Sequence, residues 1–469
     1  MHYISTRGEA PIASFSDAMT TGLARDGGLY VPDEIPTLDA VTIAGFAGRL
    51  YTDIAEAVIA PFAADAFAPA DLREMIAGAY ATFRRPAVTP LVQLDSNLFV
   101  LELFHGPTLA FKDVAMQLLG RMMDRALGRK GERAIVVGAT SGDTGAAAIE
   151  AFRGLPQVDV VILYPHGRVS DVQRRQMTSV PDANIHAVAL EGSFDDCQAI
   201  VKAMFNHHAF RDDMRLTGVN SINWARIVAQ ITYYFVGAAA LGAPHRPVSF
   251  TVPTGNFGDI FAGHVAKRMG LPVDRLVIAT NENDILERCL ADGTYELRGV
   301  RQTQSPSMDI QISSNFERAL FEALGRDAAG VRAAMASLRQ SGQFTVPPAA
   351  LAHLRNVFDA FCTDEVETAD EMRRTYRETG HILDPHTAVG VHAARRAMAK
   401  HGGSPMIVLG TAHPAKFPEA VVRATGQHPG LPPHMADLMH RPERFTVLPN
   451  DAGTVESFIR QRAGAGGLA

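Results

Sequence analysis

The sequence predicts an α/β fold built on largely parallel sheets. Short apolar runs are each followed by a loop rich in Gly, Ser, Thr or Asn, and then by apolar residues at helical spacing. The runs lack alternation, which is typical of strands covered on both faces, and strands that alternate with helices indicate βαβ units. The runs lie at 134–137, 158–164, 185–190, 248–252, 276–279 and 406–409. Ligands of such sheets bind in loops at the carboxyl ends of strands.

Composition excludes several classes of protein. The 469 residues are 47% apolar and 20% charged, as in globular chains that bury a large core. Lys and Arg total 44 against 50 Asp and Glu, a net charge of −6, which disfavours binding to nucleic acid. Three cysteines argue against a disulfide framework and for a reducing compartment. The first residues show no export signal, so we expect a cytoplasmic protein.

The chain contains one uncharged stretch that could suggest a membrane span. No charged side chain occurs in residues 227–244, which is 18 residues and just reaches the length of a spanning helix. Gln230, Thr232 and two glycines dilute the stretch, and it stands alone. We therefore predict a buried core helix and no membrane association.

Lys112 is the first candidate for chemistry. It follows a Gly106-Pro107 turn, and the apolar residues after it recur at helical spacing, so a helix should begin near it. The positive end of a helix dipole disfavours an ammonium group. A neutral lysine amine can form a Schiff base with a carbonyl. From position alone Lys112 is either a surface lysine or a reactive amine.

Two further loops join a predicted strand to a predicted helix and could bind anions. Hydroxyls and glycines in such loops expose backbone N–H groups at a helix N-terminus. Neither loop has the spacing of a Walker motif or a dinucleotide fingerprint, and an ordinary capped turn is the alternative for the first. The candidate residues are Ser141, Gly142, Asp143 and Thr144 in the first loop, and Gly255, Asn256, Phe257 and Gly258 in the second.

Two more segments carry polar groups. Thr411, His413 and Lys416 follow the run at 406–409, and residues 219–226 contain Ser221, Asn223, the sole tryptophan Trp224 and Arg226. The forked guanidinium of an arginine can donate two hydrogen bonds to a phosphate. For the tryptophan, simple core packing is the alternative. The cysteines and the histidines of residues 381–392 match no metal template, and no G-x-S-x-G motif of an esterase occurs.

Together these segments resemble the threonine synthase family. The resemblance is carried by 105–113, 141–145, 255–258 and 411–417, and residues 3–8 and 27–32 resemble the N-terminal signature of the long-chain branch. It covers residue 3 to about 450. It implies a two-lobed, tryptophan-synthase-β-like fold type II enzyme that depends on pyridoxal 5′-phosphate. The expected units are an N-terminal domain at 1–85, a first lobe at 86–240, and a second lobe at 241–469 with a helical insertion at about 300–400.

The resemblance also implies a reaction, a lyase step that converts O-phospho-L-homoserine and water to L-threonine and phosphate. Lys112 would hold the cofactor as a Schiff base and act as general acid and base. The other cofactor contacts would be Asp143 near the ring hydroxyl, Thr411 at the ring nitrogen, and the backbone of Gly255, Asn256, Phe257 and Gly258 at the phosphate.

For the substrate, Ser141, Gly142 and Thr144 would receive the α-carboxylate. Its phosphate needs a second basic site, for which Arg226 with Ser221 and Asn223 is the candidate and Lys416 or Lys267 the alternative. The N-terminal domain resembles that of monomeric members, which favours a monomer.

Two other functions stay open from the sequence. A threonine-synthase-like phospholyase would turn the same substrate into 2-oxobutyrate. A protein that has kept this fold without catalysis would bind the cofactor only. The length and the N-terminal signature disfavour a dehydratase acting on unphosphorylated substrate.

Overall fold

The computed structural model describes residues 1–140 and 142–462. Its strands are β1 (Tyr3–Ser5), β2 (Tyr30–Pro32), β3 (Leu91–Asp95), β4 (Leu98–Glu102), β5 (Ala134–Ala139), β6 (Val158–Pro165), β7 (Ile185–Glu191), β8 (Leu216–Thr217), β9 (Val248–Pro253), β10 (Val273–Thr280), β11 (Thr294–Glu296), β12 (Gln343–Thr345), β13 (Phe358–Cys362), β14 (Met406–Gly410) and β15 (Thr446–Pro449).

Its helices are α1 (Phe15–Thr21), α2 (Ala40–Ala44), α3 (Tyr51–Ala63), α4 (Pro69–Tyr80), α5 (Lys112–Lys130), α6 (Asp143–Phe152), α7 (Asp171–Thr178), α8 (Phe194–Asn206), α9 (His208–Asp213), α10 (Trp224–Ala240), α11 (Gly258–Arg268), α12 (Ile285–Asp292), α13 (Phe316–Ala323), α14 (Ala328–Ser341), α15 (Pro348–Val357), α16 (Glu365–Thr379), α17 (Pro385–His401), α18 (Pro418–Thr425) and α19 (Ala452–Arg462).

Two sheets form the body of the protein, as the apolar runs predict. The order of the five-stranded sheet is β15-β7-β6-β5-β8, with every pairing parallel. The six-stranded sheet has the order β13-β10-β9-β14-β4-β3, and only the β3–β4 pairing is antiparallel. Every residue of β6 and β9 is buried, as expected of strands covered on both faces. The predicted α/β fold with parallel-rich sheets is confirmed.

The two sheets do not follow chain order. β3 and β4, from the predicted first lobe at 86–240, belong to the six-stranded sheet of the second lobe. β15, near the C-terminus of the predicted second lobe at 241–469, returns to pair with β7 in the other sheet. Which strands pair depends on tertiary packing. Dividing the chain into consecutive segments therefore could not reveal these two crossovers.

The predicted insertion at about 300–400 also contains parts of the central body. α13 to α16 are helical as expected, but β13 pairs with β10 at the edge of the six-stranded sheet. α17 packs over β9, β10 and β14 of the same sheet. The insertion is therefore interrupted by elements that build the core.

The N-terminal segment packs on α10 through aromatic side chains. The rings of Tyr3 and Phe62 lie 6.2 and 6.1 Å from the ring of Trp224. The buried guanidinium of Arg318 lies over the same ring and donates hydrogen bonds to the carbonyl of Tyr30. Trp224 is thus a core residue. Of the residues that the structure describes, no helix is both long and apolar enough to span a membrane, and α10 is the predicted buried helix.

The close packing of α5 on α6 gives a testable prediction. A methyl group on Gly120 would lie 2.4 Å from the carbonyl oxygen of Ala151. We expect Gly120→Ala to lower the free energy of unfolding by about 1–3 kcal/mol through overpacking. Gly128→Ala in the same helix meets only ordinary contacts at 3.7 Å or more and should raise stability by up to about 1 kcal/mol. Urea unfolding of both variants tests this, and equal midpoints would contradict it.

Candidate active site

The segment before Lys112 and the segment around Thr411 lie side by side. The Phe111 N–H donates to the carbonyl of Thr411 at 2.8 Å, and the His413 N–H donates to the carbonyl of Leu109 at 3.0 Å. Ala110 and Ala412 form an antiparallel bridge between them. Two segments that are about 300 residues apart in the chain therefore form one wall of a site.

Lys112 is the first residue of α5 and is buried. Its Nζ lies 3.4 Å from Oδ2 of Asp143 and 5.3 Å from the ring centre of Phe111. Burial lowers the pKa of Lys112; Asp143 opposes this, while the cations of Lys416 and Arg226 lower the pKa further. The helix N-terminus acts in the same direction. The environment thus shifts Lys112 towards the neutral, nucleophilic amine, and the surface-lysine alternative is excluded because the side chain is buried.

The turn before Lys112 is held by a carboxylate that the sequence analysis did not single out. The backbone N–H and the hydroxyl of Thr108 both donate to Asp113 at 2.7 Å. A methyl group on Gly106 would lie 2.5 Å from Cβ of Asp113, so the turn needs glycine there. The T-x-x-x-x-D spacing was visible in the sequence, but nothing in it pointed to a buried contact.

The loop Gly255, Asn256, Phe257 and Gly258 leads into the N-terminus of α11. Phe257 has a φ of +64°, which turns the chain into the helix. In the part of the chain that the structure describes, none of the four N–H groups of this loop has an acceptor. Free N–H groups at a helix N-terminus form an anion site. The loop therefore fits a phosphate group.

A serine and an asparagine outside the loop hold its carbonyl groups. Ser313 donates its hydroxyl to the carbonyl of Gly255 at 2.6 Å, and the Asn315 amide donates to that of Asn256 at 2.9 Å. With the carbonyls bound on one side, the N–H groups are left to face the cleft. The sequence did not indicate either residue, because their segment contains no recognisable motif.

Thr140 shapes the loop that leads into α6. Its hydroxyl accepts hydrogen bonds from the N–H groups of Gly142 and Gly145, both at 3.0 Å. Asp143 and Thr144 then begin the helix and line the cleft. The predicted contact of Ser141 lies outside the described residues.

Replacement of Thr140 by valine removes this hydroxyl with little change in shape. Two buried N–H groups lose their acceptor, at a cost of about 1–3 kcal/mol. We expect Thr140→Val to raise the substrate KM about 10-fold or more because the loop predicted to bind the substrate carboxylate is displaced. Steady-state kinetics check this, and Thr140→Ser, which keeps the hydroxyl, should behave like the wild type. A valine variant with unchanged KM would contradict the role of the loop.

Ser221 and Arg226 form a second polar region of the cleft. The Arg226 guanidinium is buried, and one of its Nη groups donates to the carbonyl of Val219 at 3.0 Å. Its Nε has no partner among the described residues, and burial lowers the pKa of Arg226 to about 10. A buried cation with an unused donor fits an anionic ligand. Lys267, an alternative from the sequence, lies near the other end of α11.

Asn223 requires a correction. Its side-chain oxygen caps α10 by accepting from the N–H of Ala225 at 3.0 Å. Its side-chain NH₂ donates to the carbonyl of Met19 in the N-terminal segment at 2.7 Å. Both ends of the amide are occupied, so Asn223 positions the helix that carries Arg226 and does not belong to the substrate site.

Thr411 is supported by the start of α17. Its N–H donates to the hydroxyl of Thr387, which in turn donates to Asp384. Asp384 also pairs with Nδ1 of His386 at 2.9 Å, and Nε2 of that ring accepts the Ser307 N–H. The histidine-rich segment that matched no metal template therefore serves as a scaffold behind Thr411.

A single cleft of 2780 Å³ brings these groups together. Its lining includes Lys112, Asp143, Thr144, the loop 255–258, Ser221, Arg226 and Thr411. Residues 20–25 of the N-terminal segment contribute to the same lining. The geometry combines a buried amine of lowered pKa, one loop with free N–H groups and one separate buried guanidinium, which fits a phosphorylated carbonyl cofactor and a second anionic ligand.

Comparisons with known proteins agree with this arrangement. Residues 82–355, more than half of the chain, match the family model "Pyridoxal-phosphate dependent enzyme", which defines the class. Residues 2–80 match "Threonine synthase N terminus" and residues 387–459 match "Threonine synthase, C-terminal". The chain belongs to the threonine synthase family.

Individual relatives are similar over the whole length. The threonine synthase of Pseudomonas aeruginosa is 51% identical, with 99% of each chain covered. The crystal structure of pyridoxal-phosphate-bound threonine synthase from Brucella melitensis has a TM-score of 0.97 and 59% identity, covering 99% of this chain and 100% of that one. The yeast threonine synthase structure has a TM-score of 0.94 at 41% identity, with 98% of each chain covered.

Proposed function

We propose that this enzyme converts O-phospho-L-homoserine and water to L-threonine and phosphate, with pyridoxal 5′-phosphate as cofactor. The observation that carries the proposal is the placing of two distinct anion sites around one buried amine. The loop 255–258 offers free N–H groups to one phosphate, and Arg226 offers a buried cation to another. Family membership and the matching relatives support the same reaction.

The cofactor would be held by residues from both sheets. Lys112 would bind it covalently, and Gly255, Asn256, Phe257 and Gly258 would donate N–H groups to its phosphate. Asp143 would lie beside the ring hydroxyl, and the Thr411 hydroxyl would meet the ring nitrogen. The bound cofactor supplies an electron sink for negative charge that develops on substrate carbon.

Lys112 would then move protons on the substrate. Burial and the neighbouring cations lower the pKa of Lys112, which raises the fraction of neutral amine that would accept a proton from Cα and return one at a neighbouring carbon. A hydroxyl at the ring nitrogen, unlike a carboxylate, leaves that nitrogen unprotonated. Local proton transfer by Lys112 therefore matters more.

The substrate would be anchored at two ends. Gly142 and Thr144, together with Ser141, would receive the α-carboxylate at the start of α6, where the helix dipole favours an anion. Arg226 and Ser221 would bind the phosphate until it leaves as inorganic phosphate. These contacts fix the reacting carbons beside Nζ of Lys112.

A product assay tests the proposal. Purified enzyme loaded with cofactor is incubated with O-phospho-L-homoserine, and threonine, 2-oxobutyrate and phosphate are measured in the same samples. We expect threonine and phosphate in equal amounts. Stoichiometric 2-oxobutyrate would instead identify a phospholyase, and bound cofactor without any product would identify a protein that only binds it.

We also propose a cytoplasmic, monomeric enzyme. The three cysteines, Cys197, Cys289 and Cys362, are free, which is typical of a reducing compartment. Light scattering of the purified protein tests the oligomeric state, and a mass near twice 50.5 kDa would contradict the monomer.

A further inference from the structure

Lys416 is a second lysine at the cofactor site, and the proposed reaction does not use it. Its side chain is fully buried, and it lies at the end of the Thr411 segment. Its Nζ lies 2.7 Å from Oδ1 of Asp143, 2.7 Å from the carbonyl of Thr108 and 3.3 Å from the side-chain oxygen of Gln176. An ammonium has three N–H donors, so each has an acceptor. The protein thus supplies all the hydrogen-bond acceptors that a buried ammonium at Lys416 needs.

Lys112 has the opposite surroundings. Among the residues that the structure describes, its Nζ has one acceptor, Oδ2 of Asp143, at the long distance of 3.4 Å. Oδ1 of the same carboxylate receives Lys416 and the Gln173 amide, the latter at 2.9 Å. A buried charge is stable only when it is paired and hydrogen-bonded. One carboxylate therefore serves two lysines, and the closer pair is with Lys416.

We propose that Lys416 is a positioning residue that keeps Asp143 as its own ion partner and so leaves the Lys112 amine free to lose its proton. The inference deepens the proposed function, because that function needs Lys112 as a neutral amine. Without Lys416, the Asp143 carboxylate would have Lys112 as its sole cationic partner at hydrogen-bond distance. It would then hold Lys112 in the protonated form that cannot attack a carbonyl.

The charged groups around Lys112 agree with a role of Lys416 in lowering the pKa of the Lys112 amine. The groups that face it are Asp143 from α6, Lys416 from the Thr411 segment and Arg226 from α10. Burial lowers the pKa of Lys112, Asp143 opposes this, and the cation of Lys416 lowers the pKa further. Burial raises the pKa of Asp143, but Lys416 first and then Lys112 outweigh it and hold that pKa well below the ordinary value. The carboxylate is therefore ionised throughout the working pH range.

The test measures the protonation of Lys112 without catalysis. The full chain is stripped of cofactor and mixed with pyridoxal 5′-phosphate at a series of pH values. The rate at which the visible band of the lysine-bound cofactor appears depends on the fraction of neutral amine. We expect Lys416→Met to raise the pKa of this rate profile by about one unit or more. Lys416→Arg, which keeps the cation, should shift it by less than half as much.

A second change separates the charge effect from a packing effect. The double variant Asp143→Asn/Lys416→Met removes both charges. Because Asp143 raises the pKa of Lys112 more than Lys416 lowers it, the pKa of the profile should return to the wild-type value or fall below it. Lys400→Met, which removes an exposed lysine from its pair with the buried carboxylate of Asp359 far from the cleft, is the matched control and should change nothing. An unchanged profile in Lys416→Met would overturn the proposal. So would an equal shift in the single and double variants.

The outcome is distinguishable from a failure of the proposed function. If the pKa shift occurs while the wild type makes no threonine, the role of Lys416 stands and the assigned reaction does not. If threonine forms and the profile is insensitive to Lys416, the reaction stands and the inference fails. Should Lys416→Met not fold, Lys416→Gln, which removes the charge but keeps a hydrogen-bonding side chain, gives the same test with the same expected direction of shift.

Discussion

Replacing Lys112 by alanine is expected to lower kcat by at least about 10⁴-fold, because the residue is proposed both to bind the cofactor and to move protons on the substrate. The visible band of the lysine-bound cofactor should vanish at the same time. The purified variant is examined by absorbance and by threonine formation over several hours. The fold should persist, since the alanine removes a desolvated amine and leaves the hydrogen bonds of the neighbouring Thr108–Asp113 turn intact.

The control for this experiment lies on the same helix. Lys130 ends α5 and pairs with Asp17 on the surface, with Nζ 3.3 Å from Oδ1 of that carboxylate. Lys130→Ala should keep both the band and the activity, because exposed ion pairs contribute little. If Lys112→Ala kept its band and its activity, the central assignment of this site would be wrong.

Replacing Arg226 by methionine is expected to lower kcat/KM by about 10²–10³-fold, since a buried phosphate loses its charge-assisted partner. The cofactor band should be unchanged, because we assign the guanidinium to the substrate phosphate and the loop 255–258 to the cofactor phosphate. Steady-state kinetics with O-phospho-L-homoserine, and competition by inorganic phosphate, measure the effect. The variant should also be less sensitive to inhibition by phosphate.

Two comparisons make this prediction specific. Arg268→Met breaks an exposed pair with Glu322 and should leave the kinetics unchanged. Lys267→Met removes the alternative basic residue from the far end of α11 and should also leave the kinetics unchanged. A normal kcat/KM in Arg226→Met, together with a large loss in Lys267→Met, would move the phosphate site to the lysine.

The sequence predicted the parts of the site that depend on local pattern. The start of a helix at Lys112, the strand before Asp143 and the loop before α11 all follow from apolar spacing and glycine position. It could not assign Asn223 correctly, because a side-chain amide can equally cap a helix or bind a ligand. Only the contacts with Ala225 and Met19 show that the amide is already used.

Residues that act through tertiary contacts were out of reach for the same reason. Thr387 and Asp384 stand behind Thr411, and Asn315 holds the carbonyl of Asn256. None of these residues belongs to a recognisable motif, because hydrogen bonds between segments that are distant in the chain produce no periodic pattern in the sequence. The crossovers of β3, β4 and β15 were missed likewise, since strand partners are chosen by how the faces pack.

The sequence by itself determined the fold class and the family, and it singled out Lys112 as the candidate reactive lysine, because each depends on spacing along the chain. What only the tertiary structure decided is the electrostatic state of that lysine. Asp143 lies between Lys112 and Lys416, which are 304 positions apart in the chain. Charge interaction depends on distance in space and on burial, so the sharing of one carboxylate by two lysines appears only when the two sheets meet.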